Sequence, residues 1–159
     1  MRPKAPWATV LRWTVLGAAL AAPACMRAPA PYRFAVPGLP ATSIVDAIAR
    51  VYAAEKLATA RVDPAGVVES RWLHTGRAHG FLRDGTPTTL VRRFTTVVHP
   101  RDNQLHIELK VLLLRCGASA RGDLERNSDC EPVTSVRKSE QAEIDALGER
   151  LRAAILKVR

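Results

Sequence analysis

The sequence predicts an α+β domain built as a two-layer sandwich, with a four-stranded antiparallel sheet and two helices on one face. Two long strand-like runs, joined by a short turn-forming segment, lie between Thr88 and Cys116. One amphipathic helical pattern precedes the predicted strands, and a second follows them. Laying both helices across the apolar face of the sheet buries every apolar stripe. The predicted order is therefore α-β-β-β-β-α.

Length and charge set the limits of this interpretation. The chain has 159 residues, 47% of them hydrophobic, and a formal net charge of +9. This length suits one globular domain, which we place at residues 41–159, after a signal peptide at 1–24 and a tether at 25–40. The basic residues are dispersed, with no run longer than Arg92-Arg93. A dispersed basic surface is therefore favoured over a nucleic-acid site.

Residues 1–24 have the three-part layout of a secretory signal peptide. A basic amino-terminal region precedes the apolar run WTVLGAALAA at 13–22, which is too short to span a bilayer as a helix. The small residues Ala22-Pro23-Ala24 come directly before Cys25. With cysteine in that position, the segment resembles a bacterial lipoprotein signal. The resemblance implies a mature protein that begins at lipidated Cys25.

Two other outcomes remain open for the same residues. Ala22-Pro23-Ala24 also satisfies the A-x-A rule of ordinary cleavage, which would leave a free periplasmic or secreted protein, and an uncleaved anchor is the third possibility. The motif departs from the usual lipoprotein pattern at Ala22, where leucine is commonest. Met26 is not the aspartate that retains lipoproteins in the inner membrane of many enteric bacteria. We therefore expect a periplasm-facing protein of the outer membrane.

The elements follow in order from local patterns. The proline-rich segment 25–40 predicts a semi-rigid tether, in which Tyr32 and Phe34 form an edge strand or the chain is disordered. Thr42 or Ser43, with Asp46, then gives a helix start signal. The apolar stripe of that helix consists of Ile44, Ala47, Ile48, Val51 and Ala54.

Two short strands and a loop are predicted next. Asp63-Pro64-Ala65-Gly66 has the residues of a type I turn, so it joins a strand at 58–62 to a strand at 67–74. The segment Thr75–Pro87 contains three glycines and no sustained period. It is therefore predicted to be a loop.

The central hairpin is predicted from its alternating side chains. If residues 100–103 form the turn, His99 lies opposite Gln104, and one face is apolar except at Arg92. The adjacent pair Arg92-Arg93 suggests a bulge. The opposite face is polar near the turn and apolar at its far end. The apolar end is either a partner surface or covered by the loop between the cysteines, and its residues are Val91, Leu112 and Leu114.

The carboxy-terminal part contains the other two cysteines. In an exported protein, Cys116 and Cys130 are expected to form a disulfide across the polar loop that separates them. Ser139 is predicted to cap a second helix. Its apolar stripe consists of Ile144, Leu147, Leu151, Ile155 and Val158.

A second resemblance concerns a stretch of the domain itself. A helix, a hairpin with an Asp-x-x-Gly turn and an aromatic residue ending the second strand are similar to BamC-like envelope lipoproteins of the outer-membrane β-barrel assembly machinery. The residues that carry this likeness are Asp63, Gly66, Val68 and Trp72. Those proteins have two domains and no such cysteine pair. The resemblance implies the fold class and the compartment.

The search for chemistry finds no enzymatic signature. The sequence has no G-x-S-x-G elbow, no phosphate loop and no H-E-x-x-H or C-x-x-C motif. No cofactor or metal is expected. Arg77, His79 and Arg83 suit an anionic ligand, although a solvated loop is the favoured explanation for them. The sequence thus predicts a non-enzymatic, membrane-anchored assembly module with an unidentified envelope partner, or alternatively a binding protein for lipopolysaccharide, phospholipid or peptidoglycan.

Overall fold

The computed structural model describes residues 27–158, so the predicted signal peptide and Cys25 lie outside the described residues. The sheet and helices follow one another along the chain as β1 (Tyr32–Pro37), α1 (Ala41–Ala54), β2 (Thr59–Asp63), β3 (Val67–Ser70), β4 (Leu73–Phe81), β5 (Pro87–Arg101), β6 (Gln104–Gly117), β7 (Cys130–Pro132) and α2 (Lys138–Leu156). The α+β class is confirmed. The four-stranded sheet is wrong, because the structure has a seven-stranded antiparallel sheet.

The length of β5 and β6 explains how seven strands form one sheet. The strand order is β1-β6-β5-β3-β2, with β4 also paired to β5 and β7 also paired to β6. β3 and β4 pair with successive parts of β5, along the edge of β5 that does not pair with β6. β1 and β7 pair with successive parts of β6, along the edge of β6 that does not pair with β5. Each long strand therefore satisfies its backbone groups with two short partners.

The additional strands come from segments with weak strand signals. β1 was one of the two alternatives for the proline-rich segment, and its proline lies at the end of an edge strand, where no ladder donor is needed. β4 occupies most of the predicted loop, and Gly76 and Gly80 have positive φ where its register shifts. β7 has three residues opposite the end of β6. The loop prediction for Thr75–Pro87 is therefore wrong.

The β5–β6 hairpin closes through two residues rather than four. Asp102 and Asn103 both have positive φ, as a type I′ turn requires. His99 therefore pairs with His106 rather than with Gln104. A shift of two residues leaves every side chain on its predicted face, because side chains alternate along a strand. The proposed bulge at Arg92-Arg93 is wrong, since pairing is continuous there.

Both helices pack on the same face of the sheet. The core joins the predicted stripes of α1 and α2, except Ala54, which is exposed, to inward side chains of β1, β3, β5 and β6. The predicted caps are wrong: α1 begins after Pro40 without a side-chain cap, and α2 begins after Arg137. At α2, the Glu140 carboxylate accepts the Arg137 backbone N–H at 2.8 Å. Neither of the two helices described between residues 27 and 158 lies on the outer face of the sheet.

Gly148 provides a test of how β1 packs on α2. Alanine is normally the better helix former by about 1 kcal/mol, but a Cβ here would lie 2.2 Å from Tyr32 Cγ. We expect Gly148→Ala to lower the free energy of unfolding by about 1–3 kcal/mol, because overpacking must move the ring or the strand. Equilibrium urea denaturation measures it. In a Tyr32→Ala background the same change should stabilise the protein, and a loss there would contradict this explanation.

Candidate functional site

The outer face of the sheet is divided into a covered end and an open end. At the covered end, Cys116 and Cys130 form the expected disulfide and pair as neighbours on β6 and β7. The intervening residues fold back over the sheet, where buried Ala120 and Leu124 pack in one cluster with Val91 and Leu114. The apolar end of the outer face is thus a second, smaller core beneath the disulfide loop.

A charged contact fixes the middle of this loop. The Arg93 side chain extends from the outer face of β5, with its guanidinium carbon 4.9 Å from the centre of the Trp72 ring. The same guanidinium contacts the Glu125 carboxylate of the loop at 2.5 Å. Trp72 and Arg93 therefore connect the break between β3 and β4 to the disulfide loop.

The predicted interface residues lie at this covered end. Val91 and Leu114 are buried beneath the loop, whereas Leu112 is half-buried beside Arg93. The sequence left open whether these residues form a partner surface or are covered by the loop between the cysteines. Val91 and Leu114 are covered by the loop. A partner surface on the outer face must therefore lie elsewhere.

Leu114→Ser and Leu112→Ser make a matched pair, since the same change falls two residues apart on one face. We expect Leu114→Ser to lower the free energy of unfolding by roughly 2–5 kcal/mol, because it empties a filled site and buries a hydroxyl. Leu112→Ser should cost clearly less, since its side chain already meets solvent. Equilibrium denaturation compares them. If both variants lowered the free energy of unfolding by the same small amount, the loop would leave Leu114 accessible in solution.

The three predicted ligand-binding residues are distributed along the β4–β5 hairpin. Arg77 and His79 lie in β4, and Arg83 is exposed in the turn that follows. The Arg77 guanidinium contacts the Glu143 carboxylate of α2 at 2.8 Å, so one of the three is already ion-paired. The other oxygen of Glu143 contacts Arg92 at 2.6 Å. Glu143 therefore joins both arginines to the helix layer.

This carboxylate has a shifted protonation equilibrium. Burial opposes ionisation of Glu143, but the hydrogen bonds from Arg92 and Arg77 outweigh it and hold the pKa below its ordinary value. Arg92 is mostly buried and its Nε has no hydrogen-bond partner within residues 27–158. Glu143 is thus the anion that balances a partly desolvated arginine on the inner face.

The stability contributed by Glu143 should depend on pH. Because its pKa is lower in the folded state, its contribution is fully present above the ordinary value of 4.5 and is lost as pH falls below that value. We expect Glu143→Gln to be destabilising at neutral pH and to converge on the parent as the solution is acidified. Urea denaturation across pH measures the difference. An Arg92→Met background should weaken this convergence, and a pH-independent difference would contradict the assignment.

The open end of the outer face contains a basic depression that the sequence analysis missed. It has a volume of about 550 Å³ and lies where β1, β6 and β5 run side by side near the hairpin turn. Its polar lining consists of Arg33, His99, Arg101, His106 and Glu108. We call this the hairpin depression. The Asp102-Asn103 turn was the available signal, because a two-residue turn places His99 opposite His106.

Glu108 organises the charges of the hairpin depression. Arg33 Nε donates to its carboxylate at 2.7 Å, and Lys110 contacts the other oxygen at 2.8 Å. The hydrogen bond from Lys110, together with that from Arg33, holds the pKa of Glu108 below its ordinary value against the opposing effect of burial. Arg101 contacts Asp102 at 3.2 Å, so the three cations Arg33, Arg101 and Lys110 stand against two carboxylates and the depression is basic. The arrangement is suited to carboxylate or phosphate groups.

Other classes of site were compared with the described structure. Among residues 27–158, no group of three or more His, Cys, Asp and Glu side chains is placed to hold a metal ion. The helices of that same part include none with the length and apolar character needed to cross a bilayer. Comparison with protein-family models and with curated proteins finds no match to this chain.

Proposed function

We propose that this chain is a lipid-anchored protein of the bacterial envelope, located on the periplasmic side of the outer membrane, where it acts as a non-enzymatic assembly or interaction module. The Cys116–Cys130 disulfide is the observation that carries the proposal. Such bonds persist in oxidising compartments, which a chain exported by the segment 1–24 would reach. Cys25 is the proposed site of acylation.

The open end of the outer face is the surface that we assign to an envelope protein partner. Val67 of β3 and Val97 of β5 pair there and are both half-buried. Charged residues of the sheet lie around these two valines. A small apolar centre with a charged rim is the usual composition of a protein interface. The disulfide loop covers the other end, so this half of the sheet is the part left accessible.

A second function is favoured by the hairpin depression. Two exposed arginines, Arg33 and Arg101, and two histidines suit the phosphates of lipopolysaccharide or phospholipid and the carboxylates of peptidoglycan. The β4–β5 hairpin with Arg77, His79 and Arg83 is the other candidate for this ligand. Its Arg77 is held on the inner layer by Glu143, and its Arg83 is exposed in the turn, so its two arginines do not share one depression.

Changing Cys25 to Ser tests the anchor. The parent should carry acyl chains on Cys25 and remain with the membrane fraction, because binding strengthens by about 0.8 kcal/mol per buried methylene. The variant should lack the acyl mass and be either uncleaved or released. Mass spectrometry and fractionation measure both properties. A variant processed and retained like the parent would show that Cys25 is not the anchor.

Detergent extracts of the same membranes distinguish the two functions. A protein partner should co-purify with the parent and be lost on Val97→Asp, while Arg33→Glu with Arg101→Glu changes it less. An anionic ligand should be lost on Arg33→Glu with Arg101→Glu, while Val97→Asp changes its binding less. Arg83→Glu is the matched control for the predicted basic loop, since Arg83 lies in another hairpin.

A further inference from the structure

The amino-terminal segment of the described structure is built into the domain. The backbone carbonyl of Arg27 accepts the Val136 N–H at 2.7 Å. The Gln141 amide accepts from the Ala30 backbone N–H at 2.9 Å and donates to its carbonyl at 3.1 Å. Tyr32 then donates to Glu149 at 2.5 Å. The segment that the sequence analysis treated as a tether is thus bound to the domain from Arg27 onward, first to Val136 and then, from Ala30, to α2.

This attachment limits how far the domain can stand from the membrane. Cys25 precedes Arg27 by two residues. An extended residue spans about 3.5 Å, so a link of two residues reaches no more than about 7 Å from the fixed Arg27 backbone. An acylated cysteine is held at the bilayer surface. The corner of the domain around Arg27 must then lie against the lipid headgroups.

The side chains at that corner are basic. Arg27, Arg137 and Lys138 are exposed and line one groove of about 510 Å³, and we call them the Arg27 patch. None of the three forms an ion pair with another residue in the range 27–158. Two carboxylates lie nearby: Asp145 lines the same groove and accepts from the Gln141 amide, and Glu140 accepts a backbone N–H. The three cations outnumber these two acids, so the patch complements an anionic surface.

An exposed aromatic residue lies at the same end of the sheet. Phe81 is 63% exposed, and it pairs with Pro87 where the β4–β5 hairpin turns. The neighbouring pair Thr88–Gly117 marks that end of the central hairpin. The segment that leads into the Arg27 patch is attached near the same end, because the Val133 N–H donates to the Leu113 carbonyl of β6. Phe81 lies on the β4 edge of the hairpin and the Arg27 patch on the β7 edge, so that end of the sheet presents both an aromatic ring and cations, which surfaces that insert into the headgroup boundary combine.

We propose that the Arg27 patch and Phe81 form a docking surface for an anionic phospholipid bilayer, which fixes the orientation of the domain. The proposal rests on the acylation of Cys25 proposed above. The three cations contact lipid phosphates, and Phe81 enters the headgroup region. β5 runs from that end to the β5–β6 turn over 15 residues, about 45 Å at roughly 3.3 Å per residue. The hairpin depression therefore faces away from the membrane.

The test measures the distance of each end from the lipid. Trp7 and Trp13 are removed with the signal peptide, so Trp72 is the one tryptophan of the mature chain. In a Trp72→Phe background, single probes are placed by Phe81→Trp and Arg101→Trp, at exposed positions on opposite ends. The acylated protein is reconstituted into phosphatidylcholine–phosphatidylglycerol vesicles with brominated acyl chains. We expect quenching at position 81 and none at position 101.

Charge reversal of the patch is the second arm. Arg27→Glu, Arg137→Glu and Lys138→Glu together should abolish most quenching at position 81 while acylation and membrane retention stay unchanged. Acids at the start of α2 favour the helix, so the variant should fold, and its unfolding midpoint verifies this. Equal quenching at both probes, or quenching insensitive to charge reversal, overturns the docking surface alone. The absence of an acyl mass on Cys25 overturns the anchor and the docking surface together.

Discussion

The continuous pairing of β5 with β6 is the constraint on which the other elements depend. It extends from Thr88–Gly117 to Arg101–Gln104. Two strands of this length cannot be stable alone, because each leaves a full row of backbone groups unpaired and two apolar faces exposed. The short strands satisfy the edges, the helices cover the inner face, and the disulfide loop covers one end of the outer face. Every other element of the fold completes this hairpin.

Arg92 and Arg93 show how the hairpin accommodates charge in its middle. Adjacent residues of a strand point to opposite faces, so the two guanidinium groups meet different layers. Arg92 lies 5.3 Å from the Phe94 ring centre and binds Glu143 of α2, whereas Arg93 lies on Trp72 and binds Glu125. Each arginine thus ties one covering layer to the sheet. Removing either acid leaves a partly buried cation without its counter-charge.

The amphipathic patterns of the sequence predict much of this structure. The two helices, the Asp63–Gly66 turn, the faces of the central hairpin and the disulfide follow from periodicity, turn chemistry and cysteine spacing. β4 and β7 were missed because their pairing depends on the edges that β5 and β6 provide, and not on their own composition. The helix starts were missed because local capping signals compete with packing.

The candidate surfaces were harder to predict, because each combines residues distant in sequence. Arg33 reaches Glu108 through the pairing of β1 with β6, and Arg27 reaches Arg137 through a single backbone bridge. The predicted loop site relied on residues close together in the chain. In the folded protein, Arg77 instead forms an ion pair with Glu143, which is distant in the sequence. Only the His99–His106 pair could have been derived from a local feature, the two-residue turn.

The contact between Ala30 and Gln141 has a consequence for the order of folding. The two residues are separated by 111 positions, and Tyr32 and Glu149 by 117. Synthesis proceeds from the amino terminus, so β1 is made long before α2 and cannot pack on that helix until nearly the whole polypeptide has been made. Closing such distant contacts is slow. Completion of the domain is therefore a late event, and the first strand to be made is among the last to reach its final packing.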